Sequence, residues 1–418
     1  MKKIVLLLFS ILLLSCSTEK KEVKNKITLK NTLDIERIAE PVVISQEKIK
    51  VVLGSPELPG VVFFENSTGD KIPFQKDDFN DKTEYSLSLN FKANETKEIF
   101  VKIAGKDQII EFVHYTNVRL GKDANADGIF DDIKEEVRDV DHLPGSVPVL
   151  YQAEGISWEN DKVGFRSYWD KRNGKDIWGK TTNKMVMDSV GLPNTPSYHE
   201  MQPWGVDILK VGNSLGAGAL AMKKNGKLVR LGDTKKASFK VLTEGPVRTV
   251  FTLNYQGWEV DGETFDITEK ISIWKGKYGY KSDVTLRGSN QKIVTGIVNI
   301  NLKKDTLFTV NPSKKRIIIY TFDKQTEVND NLGMSLILKT SELKGIDKAP
   351  NTGSGRSIDG NSPISHTFYA ELQGENNQVS YCFFAGWEQT DSKFKTQKGF
   401  ENMLVKEADK LESPIIIE

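Results

Sequence analysis

Arg248-Thr249-Val250-Phe251-Thr252-Leu253-Asn254-Tyr255 and Thr264-Phe265-Asp266-Ile267-Thr268-Glu269-Lys270-Ile271-Ser272-Ile273-Trp274 are extended runs rich in β-branched and aromatic residues. Such residues fit a pleated, half-buried surface. Similar runs recur over 108–115, 147–153, 227–231, 238–243, 281–286, 293–302, 316–322, 333–339, 365–372 and 379–386, separated by Gly, Asn and Asp turns. So many strands in one region predict a large antiparallel assembly of sheets over 106–418. Upstream, shorter runs at 27–29, 42–45, 49–53, 61–64, 85–91 and 98–103 predict a small β-sandwich over 27–105. Only 399–411 has helical spacing, through Phe400, Met403, Leu404, Ala408 and Leu411. The expected class is all-β with a short C-terminal helix.

The chain opens Met1-Lys2-Lys3, an apolar run over 4–14, and Ser15-Cys16. That run is shorter than the about 20 residues of a spanning helix and fits a signal-peptide core. Leu13-Leu14-Ser15-Cys16 matches a bacterial lipobox, so 1–16 reads as a lipoprotein signal with lipid on Cys16. Ser17 resembles the outer-membrane sorting pattern, and polar residues 17–26 read as a flexible tether. The expected location is the outer membrane, with the periplasmic face favoured because 17–21 matches a surface-export signal only weakly. Cys382 is then the sole remaining cysteine. It lies in an apolar run and reads as an inert buried thiol.

The 418 residues carry a net charge of +1, and no basic stripe suggests nucleic acid. Gly212-Asn213-Ser214-Leu215-Gly216-Ala217-Gly218 lacks the lysine and hydroxyl that follow in a Walker motif. It reads as tight turns or bulges, so neither nucleic acid nor nucleotide is an expected partner.

Three stretches concentrate functional groups. If 165–172 is one strand, Arg166, Tyr168, Asp170 and Arg172 share a face opposite Phe165, Ser167 and Trp169. That row is either a solvated strand face or a site. Trp158, Trp169, Trp178 and Trp204 lie nearby, four of the seven tryptophans. Aromatic faces accept sugar C–H surfaces, and arginine holds carboxylate or sulfate bidentately. The combination suits an acidic carbohydrate, although core packing is the better reading for Trp169.

The second stretch runs from Tyr198-His199-Glu200 to Asp207. His199 sits among Gly, Pro, Asn and Ser, as a loop histidine would, and is a candidate general base. The alternative is an exposed surface histidine. His366 is a second candidate, while the four histidines lack a zinc spacing.

The third is Asp123-Ala124-Asn125-Ala126-Asp127-Gly128, followed by Asp131 and Asp132. Position 12 of an EF-hand would be Lys134, which excludes that motif. Asp123, Asn125, Asp127 and Asp131 form either a shorter structural calcium loop or an Asx-rich turn.

Trp158-Glu159-Asn160-Asp161, Asp170-Lys171-Arg172-Asn173, Asp176-Ile177-Trp178-Gly179-Lys180, the 209–218 segment and Glu244-Gly245-Pro246-Val247-Arg248 together resemble a family of exported Bacteroidota proteins. That family was long labelled only as a domain of unknown function and is linked to polysaccharide utilisation. The resemblance covers most of the mature chain. It implies a galactose-mutarotase-like β-supersandwich preceded by a smaller β-domain. It also implies oligosaccharide dehydration in ulvan breakdown, in which a non-reducing-end uronic acid loses water and becomes 4,5-unsaturated. No cofactor is needed for that chemistry. Met201-Gln202-Pro203-Trp204 departs from the histidine and glycines that relatives carry there, and the run Asp77, Asp78, Asn80, Asp81 lacks a usual glycine.

For such a reaction His199 is the expected base, Tyr168 the acid, and Arg166 or Arg172 the cation beside the substrate carboxylate. Asp170, Trp158, Trp204, Tyr198, Lys210 and His366 are expected around the substrate. Tyr198 diverges from His199 if the backbone there is extended. Two alternatives stand: a glycoside hydrolase using Glu159 with Asp161 or Asp170, and a non-catalytic glycan-binding lipoprotein.

Overall fold

The computed structural model describes residues 25–79, 81–138, 149–353 and 362–418. The signal peptide, Cys16 and all but the last two residues of the 17–26 tether lie outside the described residues.

Two sheets make the N-terminal sandwich. One has strand order Ile416–Ile417, Lys26–Lys30, Thr96–Ala104, Val61–Glu65; the other Arg37–Ser45, Thr83–Phe91, Phe74–Asp78. Alternation puts Ile27 and Leu29, Ile99 and Val101, and Val62 and Phe64 into one core with Val42, Ile44 and Leu87. Ile415 packs there too, so the chain's end returns to its first strand. Residues 49–53 are not a strand. They belong to α1 (Gln46–Leu53), where Ser45 caps the start by accepting the Lys48 N–H and left-handed Gly54 closes the end. The capping residues outweigh the β-branched content of this run.

The larger unit is a β-supersandwich. Its nine-stranded antiparallel sheet runs Glu135–Arg138, Lys236–Glu244, Arg248–Val260, Glu263–Trp274, Gly279–Arg287, Gln378–Trp387, Asn331–Lys339, Arg316–Lys324, Phe308–Val310. Asp261-Gly262, both at positive φ, turn the central hairpin, the geometry that a two-residue hairpin requires. Two five-stranded sheets pack against it. One is Gly205–Asp207, Lys175–Lys180, Val163–Tyr168, Gly155–Asn160, Thr116–Arg119; the other is Lys227–Arg230, Ala217–Lys224, Ile293–Val298, Thr367–Leu372, Leu343–Lys348. Trp158 contacts Phe251 and Tyr280, and Phe165 contacts Phe383, across the interface.

The other face of the large sheet is covered by α2 (Gln397–Glu412), begun by a Thr396 cap. Ile317 and Ile319 face the sandwich core, while Ile318 and Tyr320 face Phe400, Leu404 and Ala408 of α2. Cys382 is buried under the helix, and burial pushes its thiol up to about 11.

Two expected runs, 108–115 and the described part (149–153) of 147–153, do not form strands. Residues 108–115 form no strand, and Ile109 and Val113 are 80 and 71% exposed. Residues 152–154 form a short 3-10 turn. The first run links the N-terminal sandwich to the larger unit, and in the second Tyr151 makes an isolated antiparallel bridge to Lys122.

Candidate active site

Arg166 and Asp176 are register partners on the antiparallel strands Val163–Tyr168 and Lys175–Lys180. Directly opposed side chains share a face, so their charges meet. Arg166 Nη2 donates to Asp176, to Asp207 Oδ2 at 3.0 Å and to Tyr168 Oη at 3.1 Å. Asp207 comes from the short strand Gly205–Asp207, paired to the next edge. Gly205 permits that approach: its φ is +133°, and a Cβ would lie 1.8 Å from the Gly179 carbonyl oxygen.

These groups form the floor of a cavity of about 200 Å³. Glu154, Tyr198, His199, Lys210 and Glu327 complete its polar lining. Arg166 and Asp207 are buried, whereas the His199 side chain is 68% exposed at the mouth. His199 Nδ1 lies 3.6 Å from Asp207 Oδ2. Burial, with the nearby Arg166 charge, holds His199 below the ordinary histidine value. Burial and the neighbouring Asp176 hold the Asp207 carboxyl well above the usual carboxylate range. Asp207 Oδ1 is buried without a hydrogen-bond partner among the described residues.

Residues 198–199 form a turn rather than an extended segment. Tyr198 and His199 therefore point into the same cavity, with ring centroids 4.4 Å apart. The Asp207 N–H donates to the Tyr198 carbonyl at 2.9 Å and ties this turn to the sheet.

Several expected roles need correction. The strand ends at Tyr168, and Asp170 and Arg172 occupy the turn that follows. Arg172 donates to both Asp170 oxygens and, at 3.2 Å, to Glu154. Its guanidinium sits 4.2 Å from the Tyr168 ring centre, and that of Arg166 sits 4.7 Å away. Tyr168 is thus clamped between two cations, and its phenol donates to Asp176 at 3.2 Å. Buried there, it holds its proton well above the ordinary tyrosine value. Both guanidiniums are buried against protein carboxylates, Arg166 with Asp176 and Asp207 and Arg172 with Asp170 and Glu154, while Arg166 Nε has no partner among the described residues. Lys210 is a cation on the lining with no carboxylate partner among the described residues.

Trp158 is buried in the sandwich core against Phe251 and Tyr280 of the large sheet and is not on the cavity lining. Trp204 packs edge-on against Trp178 at 6.1 Å, in a cluster behind Tyr198. His366 sits in a bend just before the strand Thr367–Leu372 of the other five-stranded sheet, beside Ser365 Oγ at 3.0 Å, and is not on the lining. The carboxylates of the hydrolase alternative are dispersed. Glu159 is buried against Lys180, Asp170 is bound by Arg172, and Asp161 accepts the Gly276 N–H at 2.6 Å.

The acidic loop is held by its own side-chain-to-backbone hydrogen bonds. Asp123 accepts the N–H groups of Asp127 and Gly128, and Asp127 that of Ile129. Among the described residues no three His, Cys, Asp or Glu side chains converge on a cation-sized site. Asp123 and Asp127 thus shape an Asx-type turn, while Asp131 lies in the two-residue strand Asp131–Asp132 paired with Gly121–Lys122.

Asp176, Asp207, Glu154 and Glu327 were not expected at the site. Asp176 and Asp207 stand within quoted motifs, but only strand register reveals that both meet Arg166.

Fold and site together define a two-unit β-sandwich protein with a small, polar, carboxylate-rich pocket at one end of a five-stranded sheet. The chain belongs to the family described as Domain of unknown function (DUF4861), which matches residues 29–417. It is 23% identical, over 99% of both chains, to "Uncharacterized protein P7" of Formosa agariphila. Among solved structures it is similar to an alpha-mannosidase from Enterococcus faecalis, with 9% identity, a TM-score of 0.47, and coverage of 95% of this chain and 46% of that one. A protein in the glycosyl hydrolase family 38 from the same organism gives 9% identity, a TM-score of 0.45, and 95 and 47% coverage. The chain spans just under half the length of these two structures.

Proposed function

We propose that the cavity removes water from a non-reducing-end uronic acid of an acidic, ulvan-like oligosaccharide, as a carbon–oxygen lyase. The observation that carries this reading is the His199–Asp207 pair beside Tyr198. It joins an accessible histidine kept neutral, a buried carboxyl behind it, and a partly exposed phenol on the same small lining. The cavity lies below the about 300 Å³ of ordinary ligand pockets, which suits one terminal sugar rather than a threaded chain.

His199 accepts the C5 proton through its free ring nitrogen, with Asp207 orienting the ring. Tyr198 protonates the C4 oxygen as the C4–O bond breaks, so the hydroxyl leaves as water and a C4–C5 double bond forms. Proton return from His199 to Tyr198 restores the site. Lys210 faces the substrate carboxylate and stabilises the charge that develops on it. Tyr168 and Arg166 position Asp176 and Asp207 rather than touch substrate.

Incubation with uronic-acid oligosaccharides tests the reading: the product should lose the mass of one water and gain ultraviolet absorbance. Glu154 and Glu327 on the same lining favour hydrolysis as the second reading. A new reducing end without absorbance would establish it instead.

We further propose an outer-membrane lipoprotein held at the periplasmic face through Cys16, supported by the lipobox. Cys16→Ser should move the protein from the membrane fraction to the soluble one.

A further inference from the structure

A second, larger concavity of about 1040 Å³ lies between the N-terminal sandwich, α2 and the Trp274–Gly279 turn, and eight lysines face four carboxylates on its walls. The chain as a whole is only +1, so this groove concentrates positive charge. Some of these lysines are neutralised: Glu407 accepts from Lys277 at 3.1 Å and from Lys410 at 2.7 Å. Lys71, Lys275 and Lys406 have no carboxylate within ion-pair distance among the described residues. Lys71 and Lys275 lie instead over the rings of Phe63 and Tyr115, at 5.5 and 3.8 Å. Lys275 is half-buried, and desolvation pulls its ammonium below the ordinary lysine value, with Lys162 adding to the effect and Asp161 opposing it. A cation left partly desolvated without a counter-charge is relieved by binding an anion.

The three free lysines come from three separate elements: the N-terminal sandwich, the Trp274–Gly279 turn and α2. An occupant that meets all of them must be extended and carry several negative charges. Ile38, 54% exposed, and Met403 add apolar surface along the same walls, which suits the C–H faces of sugar rings. A bilayer surface is flat and cannot enter a concavity walled on three sides.

We propose that this groove is a second binding site for a linear acidic oligosaccharide bearing carboxylate or sulfate groups. It is separate from the pocket. The strand Gly155–Asn160 leads from Glu154 on the pocket lining to Asp161 on the groove wall, roughly 23 Å at about 3.3 Å per residue. The groove therefore retains a chain while the pocket acts on an end. The choice of glycan as the polyanion rests on the function proposed above; the charge and shape of the groove do not.

Titration calorimetry of the whole protein with a galacturonic acid hexamer, and with maltohexaose as the neutral control, tests the site. The acidic hexamer should bind, and added salt should weaken it. The variant combining Lys71→Ala, Lys275→Ala and Lys406→Ala should bind it on the order of tenfold more weakly, the product of three screened ion pairs. His199→Ala should leave the groove's affinity unchanged, which separates groove from pocket. The triple variant should keep wild-type turnover of a short substrate, so failure of the dehydration reading and failure of the groove are distinguishable. Equal binding of maltohexaose, or undiminished binding by the triple variant, would overturn the proposal. So would binding to phosphatidylglycerol vesicles that the triple substitution abolishes, with no binding of the hexamer.

Discussion

His199 Nδ1 stands 3.6 Å from Oδ2 of Asp207, the histidine exposed at the mouth of the cavity and the carboxyl buried beneath it. The separation is longer than a hydrogen bond. In a ligand-free site, such contacts commonly tighten only when substrate is bound. His199→Ala should lower formation of the unsaturated sugar by about 10²–10⁴-fold, the usual contribution of a general base, with an unchanged circular dichroism spectrum. Full activity in this variant would remove His199 from the mechanism.

The sign of the pH dependence follows from the direction of the His199 shift. A histidine held below about 6.5 by burial and by Arg166 is neutral at pH 7. As the pH falls through its pKa it becomes protonated and can no longer accept the C5 proton. kcat/KM should therefore be flat around neutrality and fall on the acid side of 6.5. An acid limb centred above 7 in the pH–rate profile would contradict the assignment.

Glu159 and Lys180 form an ion pair in which both side chains are 0% exposed. The Val186 and Met187 N–H groups donate to the other Glu159 oxygen at 2.6 and 2.7 Å. Removing one partner of such a pair strands the other as a buried charge. Glu159→Ala should cost about 3–5 kcal/mol of unfolding free energy, read by denaturant titration. A loss below 1 kcal/mol would show that the lysine finds water or another partner.

Phe400 of α2 presses on Gly333 and Gly386, where a Cβ would lie 2.3 and 2.7 Å from its ring. Gly333→Ala should destabilise by about 1–3 kcal/mol through overpacking, and Phe400→Ala by about 3–5 kcal/mol through a cavity. The two combined should fall short of their sum, because the smaller side chain makes room for the added methyl group. Thermal unfolding of the two single variants and the double variant measures this.

Cys382 should be inert in the folded protein. Its thiol is buried and pushed up to about 11, and the thiolate is the reactive form. In a Cys16→Ser background, a thiol reagent should label nothing in native protein and one group after unfolding.

Much of the architecture was legible in the chain. The hairpin 248–274 carries alternating apolar residues on both arms, and Asp261-Gly262 supplies a turn that only a few residue types allow. The helix 397–412 shows its period of 3.6 in Phe400, Leu404 and Ala408. The misread segments were short. Residues 49–53 have β-branched content, yet the Ser45 and Gly54 caps set a helix. Residues 108–115 have apolar content yet form no strand and leave Ile109 and Val113 exposed.

The site was legible only in part. Arg166, Tyr198, His199 and Lys210 stood out by residue type and do line one cavity. Trp158 and Arg172 stood out equally, yet one fills the core and the other is held by Asp170 and Glu154. Residue type states what a side chain can do, but it does not state whether the fold has already used it. Sequence by itself determined the period-two strands, the turns and the capped helices, because these depend on neighbours within a few residues. Tertiary structure alone decided that Arg166, Asp176 and Asp207 meet, since that depends on the register of three strands from 163 to 207. It also decided which cations remain free, because pairing is settled by groups far apart in the chain.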